Sequence, residues 1–214
     1  MPEKTVQKEP GKKPAPSKKP KPQQEVVVQI SLSELHPFPD HPFQVREDAS
    51  MQETAESVKE YGVLVPALAR PREDGGYELI AGHRRKHACE LAGLATMPVI
   101  VRDIDRDAAT IIMVDSNLQR ENILPSERAK AYKMKMEAIK RQGARTDLTS
   151  PKISAKFRSD DEVGQDAGVS GDTIRNYIAL TQLVPELQQM VDEKKIALSP
   201  AYSKGRFRRI NSNP

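Results

Sequence analysis

The sequence has few of the residues on which several classes of protein depend. Its 214 residues include no tryptophan and one cysteine, Cys89, and aromatic residues make up 4%. A single cysteine excludes a disulfide framework and a cysteine-rich zinc site. No apolar run approaches the length of a membrane span, and the Lys/Pro-rich start lacks the apolar segment of a signal peptide. We therefore expect a cytoplasmic protein with no membrane partner.

Positive charge is scarce in the middle of the chain, although the net charge is +4. Residues 1–24 hold seven lysines and two glutamates, and residues 204–214 hold four basic residues and no acidic one. Residues 25–203 therefore carry 23 basic and 28 acidic residues, a balance of −5. If this part binds nucleic acid, local patches and specific geometry must do so, because its overall charge is unfavourable.

Composition and periodicity divide the chain into four segments. Residues 1–24 are rich in Pro and Lys and predict a disordered tail, which is either a solvated leader or a polycation that contacts DNA or a partner. Strand-like and helical patterns alternate over 25–122 and predict a small mixed α/β domain. Residues 123–200 predict a helical domain, and residues 201–214 an irregular basic tail. The predicted fold class is α+β.

Several local predictions can be stated by residue. Residues 25–35 favour one strand, and residues 64–70 favour another. Residues 48–61 have helical spacing, with Gly62 as the stop. A later helix is expected to begin near Pro125 and to stop at Gly143, followed by a polar loop over 144–159.

Residues 161–180, DEVGQDAGVSGDTIRNYIAL, have the spacing of a helix-turn-helix. Gly164 supplies the small residue where two helices cross, and Gly168 supplies a residue that can adopt the tight turn. Ser170 is a favourable N-cap, and Val169 has hydrophobic-staple spacing to Ile174. The alternative is an ordinary corner between two helices.

The amino end of the second helix of such a motif enters the major groove of DNA. The residues expected at that exposed end are Ser170, Gly171, Asp172, Thr173, Arg175 and Asn176. Arg and Asn side chains read guanine and adenine edges. On the preceding long helix, Lys133, Lys135 and Lys140 form either a solvated face or contacts to DNA phosphates.

Three further stretches, followed by the helix-turn-helix, carry a family likeness. They are residues 61–70 (YGVLVPALAR), 82–88 (GHRRKHA) and 116–127 (SNLQRENILPSE). In this order they resemble the ParB family of partition and nucleoid-occlusion proteins over roughly residues 28–200. The resemblance implies a ParB/sulfiredoxin-like amino-terminal domain followed by an all-α DNA-binding domain.

The resemblance also implies ligands and partners. These are a centromere-like site on double-stranded DNA, CTP with Mg²⁺ in the amino-terminal domain, a ParA-type ATPase, self-association on DNA, and a location at the nucleoid. In the family the second stretch cradles the triphosphate, and the third helps to hold phosphate and metal. The candidate nucleotide-binding residues are Gly82, His83, Arg84, Arg85, Asn117 and Arg120.

The nucleotide assignment also has a basis in the residues themselves. Gly82 lies between a strand and the start of a helix, where backbone N–H groups and the helix dipole attract phosphate. Arg84 and Arg85 add charge-assisted donors. The family usually has Glu where this chain has His83, and commonly Glu where it has Ser116. These departures predict nucleotide binding with weak hydrolysis or none.

Other classes of protein are weighed against this reading. The pattern is also similar to sulfiredoxin, but that enzyme needs a cysteine where this chain has Gly82. No motif gathers acidic residues into the metal site of a nuclease. A helix-turn-helix transcriptional regulator without nucleotide dependence remains an alternative. Family members usually continue into a carboxy-terminal dimerisation domain, so we expect a truncated end and, without DNA and nucleotide, a monomer or weak self-association.

Overall fold

The computed structural model describes residues 26–120, 122–146 and 159–198. The predicted tails, 1–24 and 201–214, lie outside these residues, as does most of the predicted loop 144–159. The elements occur in the order β1 (Val27–Ser31), a 3-10 turn (Leu32–Glu34), β2 (Leu35–Pro37), α1 (Ala49–Tyr61), β3 (Ala67–Pro71), β4 (Tyr77–Ala81), α2 (His83–Leu91), β5 (Thr96–Val101), α3 (Arg106–Leu118), α4 (Pro125–Thr146), α5 (Ser159–Ala167), α6 (Gly171–Leu180) and α7 (Pro185–Asp192).

The strands form one mixed sheet in the order β1-β5-β3-β4-β2. The pairs β1–β5 and β3–β4 are antiparallel, and the pairs β3–β5 and β2–β4 are parallel. Strand β4 is buried on both faces, because successive side chains point to opposite sides of a sheet. Leu79 packs in the core that includes α1 and α2, and Ile80 packs in the core that includes α3 and α4.

Helix α1 confirms the prediction for residues 48–61. Asp48 is its N-cap, and its Oδ1 accepts a hydrogen bond of 2.9 Å from the backbone N–H of Met51. Gly62 follows the helix with φ of 72°. This region of backbone space is costly for other residues, so the helix ends where the glycine allows the chain to turn.

Three of the predicted element bounds are wrong. The strand expected over 25–35 is split by the turn 32–34 into β1 and β2. The strand expected from residue 64 begins only at Ala67, because the carbonyls of Val65 and Pro66 accept hydrogen bonds from Arg85 instead of joining the sheet. Helix α4 continues through Gly143 to Thr146, since one glycine costs a helix only about 1 kcal/mol.

Helix α4 packs against helices on both sides of it. It contacts α3, which lies against β4, and it also contacts α5, α6 and α7. Tyr132 of α4 is buried with Val163 of α5 and Ile174 of α6, and Ala129 is buried with Leu180 and other side chains near α7. The predicted α+β class, a mixed α/β domain followed by helices, is confirmed. The boundary predicted at 122/123 stays a prediction.

The predicted helix-turn-helix geometry is present in α5 and α6. A Cβ atom on Gly164 would lie 2.6 Å from the backbone oxygen of Val169, so only glycine allows this crossing. Gly168 has φ of 67° and nothing within 4 Å of a Cβ position. Ser170 caps α6, and its hydroxyl accepts from the backbone N–H of Thr173. Two different constraints therefore fix the turn.

These two glycines give a stability test of the turn. Gly164→Ala is expected to lower the free energy of unfolding by about 2 kcal/mol, because backbone atoms must move to admit the methyl group. Gly168→Ala is expected to cost about 1 kcal/mol, from the positive φ alone. Urea unfolding followed by circular dichroism measures both. An unchanged midpoint for Gly164→Ala, or a larger loss for Gly168→Ala, would contradict this account.

Candidate functional site

A cavity of about 230 Å³ lies where β4 runs into α2. Its walls come from the segment before α1, the start of α2 and the end of α3. The side chains and backbone that line it are those of His41, Phe43, Val45, Ala81, Gly82, His83, Arg84, Arg85, Ser116, Asn117 and Arg120. All six candidate nucleotide residues are in this set. His41 and Phe43 were missed, because their segment has no helical or strand periodicity.

Gly82 fixes the shape of the cavity floor. It is the N-cap of α2, with φ of 109°, and a Cβ atom there would lie 2.8 Å from the Cβ of Ala67 on β3. No side chain caps this helix, and its first turn contains no acidic residue. The first backbone N–H groups of a helix have no intrahelical partner. Together with the helix dipole, they make this a favourable place for an anion.

Arg85 and Arg120 bring two poorly hydrated cations to the cavity. Burial lowers the pKa of both guanidinium groups, and the charge of Arg84 adds to the effect on Arg120. Nη1 of Arg85 donates at 2.6 Å to the carbonyls of Val65 and of Pro66. Within the described residues, neither Arg85 nor Arg120 forms an ion pair with a carboxylate, although the charge of Glu127 acts on Arg120 in the opposite direction. An anion in the cavity would relieve this unfavourable concentration of positive charge.

Arg84 is held at the edge of the cavity by the start of α1. Its Nη2 donates to the Oγ of Ser50 at 3.2 Å and lies 3.7 Å from Oδ1 of Asp48. A second cavity of about 280 Å³ adjoins here and shares Phe43, Arg84 and Arg120 with the first. The two together are of the size that small-molecule ligands occupy.

Two histidines pack against each other in the wall. The ring centroids of His41 and His83 are 4.0 Å apart, and neither Nε2 atom has a hydrogen-bond partner. Nδ1 of His41 donates to the carbonyl of Phe43 at 2.7 Å. Burial lowers the pKa of both rings, and that of His83 falls to about 3, with the charges of His41, Lys86 and Arg120 adding to the burial effect. Both rings are therefore neutral at neutral pH.

The end of α3 supplies polar groups that are already engaged. The Asn117 amide donates to the carbonyl of Met113 at 2.8 Å, and its Oδ1 accepts from Nη1 of Arg120 at 3.2 Å. Ser116 also donates to Met113. These bonds orient Arg120 toward the cavity from a rigid helix end.

The cavity at the start of α2 has no carboxylate on its walls, whereas Asp48 and Glu127 line the adjoining cavity. Asp115, the nearest acidic residue of α3, is paired with Lys135. Across the described ranges, no group of three or more His, Cys, Asp or Glu side chains is placed to hold a metal ion. Mg²⁺ prefers hard oxygen ligands, so the walls of the cavity at the start of α2 do not fit a magnesium site built from protein side chains.

The residues predicted to face DNA lie at the start of α6. Ser170, Asp172, Arg175 and Asn176 are exposed, and Thr173 is half-buried, with its Oγ1 2.9 Å from the Ser170 hydroxyl. Gly171 is buried, because the Asp161 side chain occupies the space where its Cβ would be. Gly171 therefore serves the packing of α5 on α6.

Arg175 is held by acidic neighbours. Its guanidinium forms ion pairs with Asp172 on its own helix and with Asp160 on α5. Hydrogen bonds to Asp172 and Asp160 raise the pKa of Arg175. A base edge would have to compete with these two carboxylates for the same donors.

The lysines of α4 do not behave alike. Lys133 and Lys140 are exposed, as a phosphate contact requires. The prediction for Lys135 is wrong, because its side chain is 1% exposed and is paired with Asp115 and Asp166. Sequence spacing alone did not show that α5 covers this position.

No helix in the part of the chain that the structure describes is long and apolar enough to cross a membrane.

Residues 16–118 match the family described as the ParB N-terminal domain. The chromosome-partitioning protein Spo0J of Thermus thermophilus is 35% identical over 176 residues, which cover 82% of this chain and 58% of that protein. The stage 0 sporulation protein J of Bacillus subtilis is 31% identical over 175 residues, covering 82% and 56%. The chain spans between 42% and 58% of the length of four such relatives.

Solved structures of ParB proteins also match this chain. A C-terminally truncated chromosome-partitioning protein ParB from Caulobacter crescentus, complexed to the centromeric parS site, matches with a TM-score of 0.54 and 26% identity over 82% of each chain. A pNOB8-like ParB-N domain shares the fold, with a TM-score of 0.56 and 17% identity over 89% of this chain and 86% of that one. The sequence motifs, the fold and these matches agree, and the chain belongs to the ParB family.

Proposed function

We propose that this protein is a sequence-specific DNA-binding partition protein, which binds a centromere-like site and uses CTP as a conformational switch. The observation that carries the nucleotide half is the cavity beside the uncapped start of α2. Arg85 and Arg120 meet there, and among the described residues neither forms an ion pair with a carboxylate. The helix-turn-helix of α5 and α6 carries the DNA half.

The triphosphate is assigned to the start of α2. Backbone N–H groups after Gly82 and the guanidinium groups of Arg84, Arg85 and Arg120 supply the donors that a polyanion needs. Because the cavity at the start of α2 has no carboxylate on its walls, any Mg²⁺ there is expected to enter with the nucleotide, ligated by phosphate oxygens and water. His83 and Asn117 complete the proposed nucleotide-binding set. CTP as the particular nucleotide rests on family membership.

A conformational switch requires a structural element whose position depends on both the nucleotide and the DNA. The end of α3 lines the cavity, and α3 packs along α4, which contacts both helices of the helix-turn-helix. A nucleotide that binds one arrangement of α3 more tightly shifts the population toward that arrangement. Double-stranded DNA, a ParA-type ATPase and further copies of the chain on DNA are the proposed partners, with the nucleoid as the place of action.

Nucleotide binding is tested by calorimetric titration with CTP, ATP, GTP and UTP in the presence of Mg²⁺. We expect CTP to bind, Arg85→Ala to abolish binding, and Arg120→Ala to weaken it about tenfold or more through loss of a charge-assisted contact. The Arg120→Ala variant is needed because Arg85 also donates to the carbonyls of residues 65 and 66, so Arg85→Ala alters this loop as well as the charge of the cavity. The control is Arg106→Ala, an exposed arginine at the far end of α3, which is expected to bind normally.

Absence of CTP binding even with a parS duplex present would refute the nucleotide half. Retained specific DNA binding in that case would favour a helix-turn-helix regulator without nucleotide dependence.

Hydrolysis of CTP is expected to be slow or absent. Turnover requires a positioned water and stabilisation of charge on the transferring phosphoryl group, and no acidic side chain lines the cavity. Ser116→Glu places a carboxylate on the wall and is expected to raise the rate of phosphate release, with Ser116→Gln as the uncharged control. Rapid phosphate release by the unchanged protein would contradict this expectation.

DNA reading is assigned to Arg175 and Asn176, with non-specific affinity from Lys133 and Lys140. If Arg175 makes a bidentate base contact, Arg175→Ala should cost roughly 1–3 kcal/mol on the correct site. Lys140→Ala should weaken binding to all sequences and reduce the salt dependence. Fluorescence anisotropy with parS and scrambled duplexes at two salt concentrations separates these effects. An Arg175→Ala protein with unchanged preference for parS would rule out the assignment.

A further inference from the structure

Lys135 is a fully buried cation between two carboxylates. Its side chain is 1% exposed, and its Nζ donates to Oδ1 of Asp115 at 2.7 Å and to Oδ2 of Asp166 at 2.8 Å. Burial by itself lowers the pKa of Lys135, but the two carboxylates outweigh burial and raise it. The lysine is therefore charged at all ordinary pH values, and its position depends on both acids.

The two acids belong to different helices, and both pair with the same side chain of α4. Asp115 belongs to α3 and directly precedes Ser116 and Asn117, which line the nucleotide cavity. Asp166 belongs to α5, two residues after Gly164, where α5 crosses the turn into α6. One ammonium group thus joins the helix end at the cavity to the first helix of the helix-turn-helix.

The contact can rearrange without unfolding the protein. The carboxylates of Asp115 and Asp166 are 45% and 55% exposed, so either remains hydrated if it separates from the lysine. The lysine has no such alternative, because a buried cation needs its remaining partner. Because Lys135 must stay paired, a movement of α3 or of α5 shifts the lysine and thereby affects the other helix.

An apolar contact runs beside the ion pairs. Leu118, at the end of α3, packs with the core around Met113 and also with the cluster of Tyr132, Val163 and Ile174. This contact holds the two parts together whether or not Lys135 is charged. A mutation of Lys135 is therefore expected to remove the coupling between the two sites while Leu118 still holds α3 against the helix-turn-helix.

We propose that Lys135 is a positioning residue that couples the nucleotide cavity to the helix-turn-helix, through Asp115 on one side and Asp166 on the other. This inference rests on the proposed function, since it requires that both ligands bind. Nucleotide in the cavity positions the end of α3 and with it Asp115. DNA on α6 positions α5 and with it Asp166. Each ligand thereby changes the affinity for the other by the same factor.

The test measures that factor in the full chain. CTP affinity is determined by calorimetry with and without the parS duplex recognised by the Caulobacter crescentus relative, and duplex affinity is determined with and without CTP. In the unchanged protein we expect each ligand to alter the affinity for the other about fivefold or more. In Lys135→Met, which keeps an unbranched side chain and removes only the charged end, we expect both ligands to bind and the factor to fall within about twofold of one.

Two further variants complete the design. Asp166→Asn alters an exposed side chain, so it is expected to fold even if Lys135→Met does not, and it should also reduce the factor. Lys59→Met makes the same change on the exposed surface of α1 and should leave the coupling factor at its wild-type value. A merely structural lysine would change the melting temperature and leave the factor intact.

The outcomes separate the two proposals. A wild-type factor retained in Lys135→Met or in Asp166→Asn overturns the coupling role of Lys135. A factor of one in the unchanged protein, with both ligands bound, overturns it as well. Failure of the unchanged protein to bind CTP at all overturns the proposed nucleotide function, and the coupling with it.

Discussion

The close approach of Gly82 to Ala67 is the constraint on which the proposed nucleotide cavity depends. With no Cβ at residue 82, the chain leaves β4 and begins α2 directly over β3. This places the first N–H groups of α2 at the cavity floor and brings Arg85 within reach of the loop before β3. Any larger residue would push the helix start away from the sheet. The chemistry of the site therefore begins with a packing requirement of the backbone.

The helix-turn-helix is organised on the same principle. At Gly164 and Gly171 the missing side chains let α5 and α6 meet closely, and hydroxyl capping by Ser170 fixes where α6 begins. The acidic residues around that start offset the charge of Arg175. Because these carboxylates already occupy its donors, Arg175 attracts an anion less strongly than an unpaired arginine would, and any group that binds it must displace them.

Sequence patterns predicted most of this architecture because the signals were local. The cap at Ser170, the stop at Gly62 and the glycines of the turn are each read from a few neighbouring residues. The predictions that were wrong concern features that depend on tertiary contacts. The burial of Lys135 requires α5 to lie across α4, and the late start of β3 requires Arg85 to capture two carbonyls. The place of His41 in the cavity wall could not be predicted, because it packs against His83, which is 42 positions away along the chain.

The pair formed by His41 and His83 sets an acid limit on the fold. The pKa of His83 is about 3 in the folded protein, against 6.5 for an ordinary histidine. As the pH falls below 6.5, the unfolded chain takes up a proton that the folded protein excludes, so stability is lost progressively until the pH approaches 3. Within that window the loss is about 1.4 kcal/mol per pH unit for such a group. His41 acts in the same direction. Acid therefore destabilises the fold in part by protonating two histidines in the wall of the proposed nucleotide cavity.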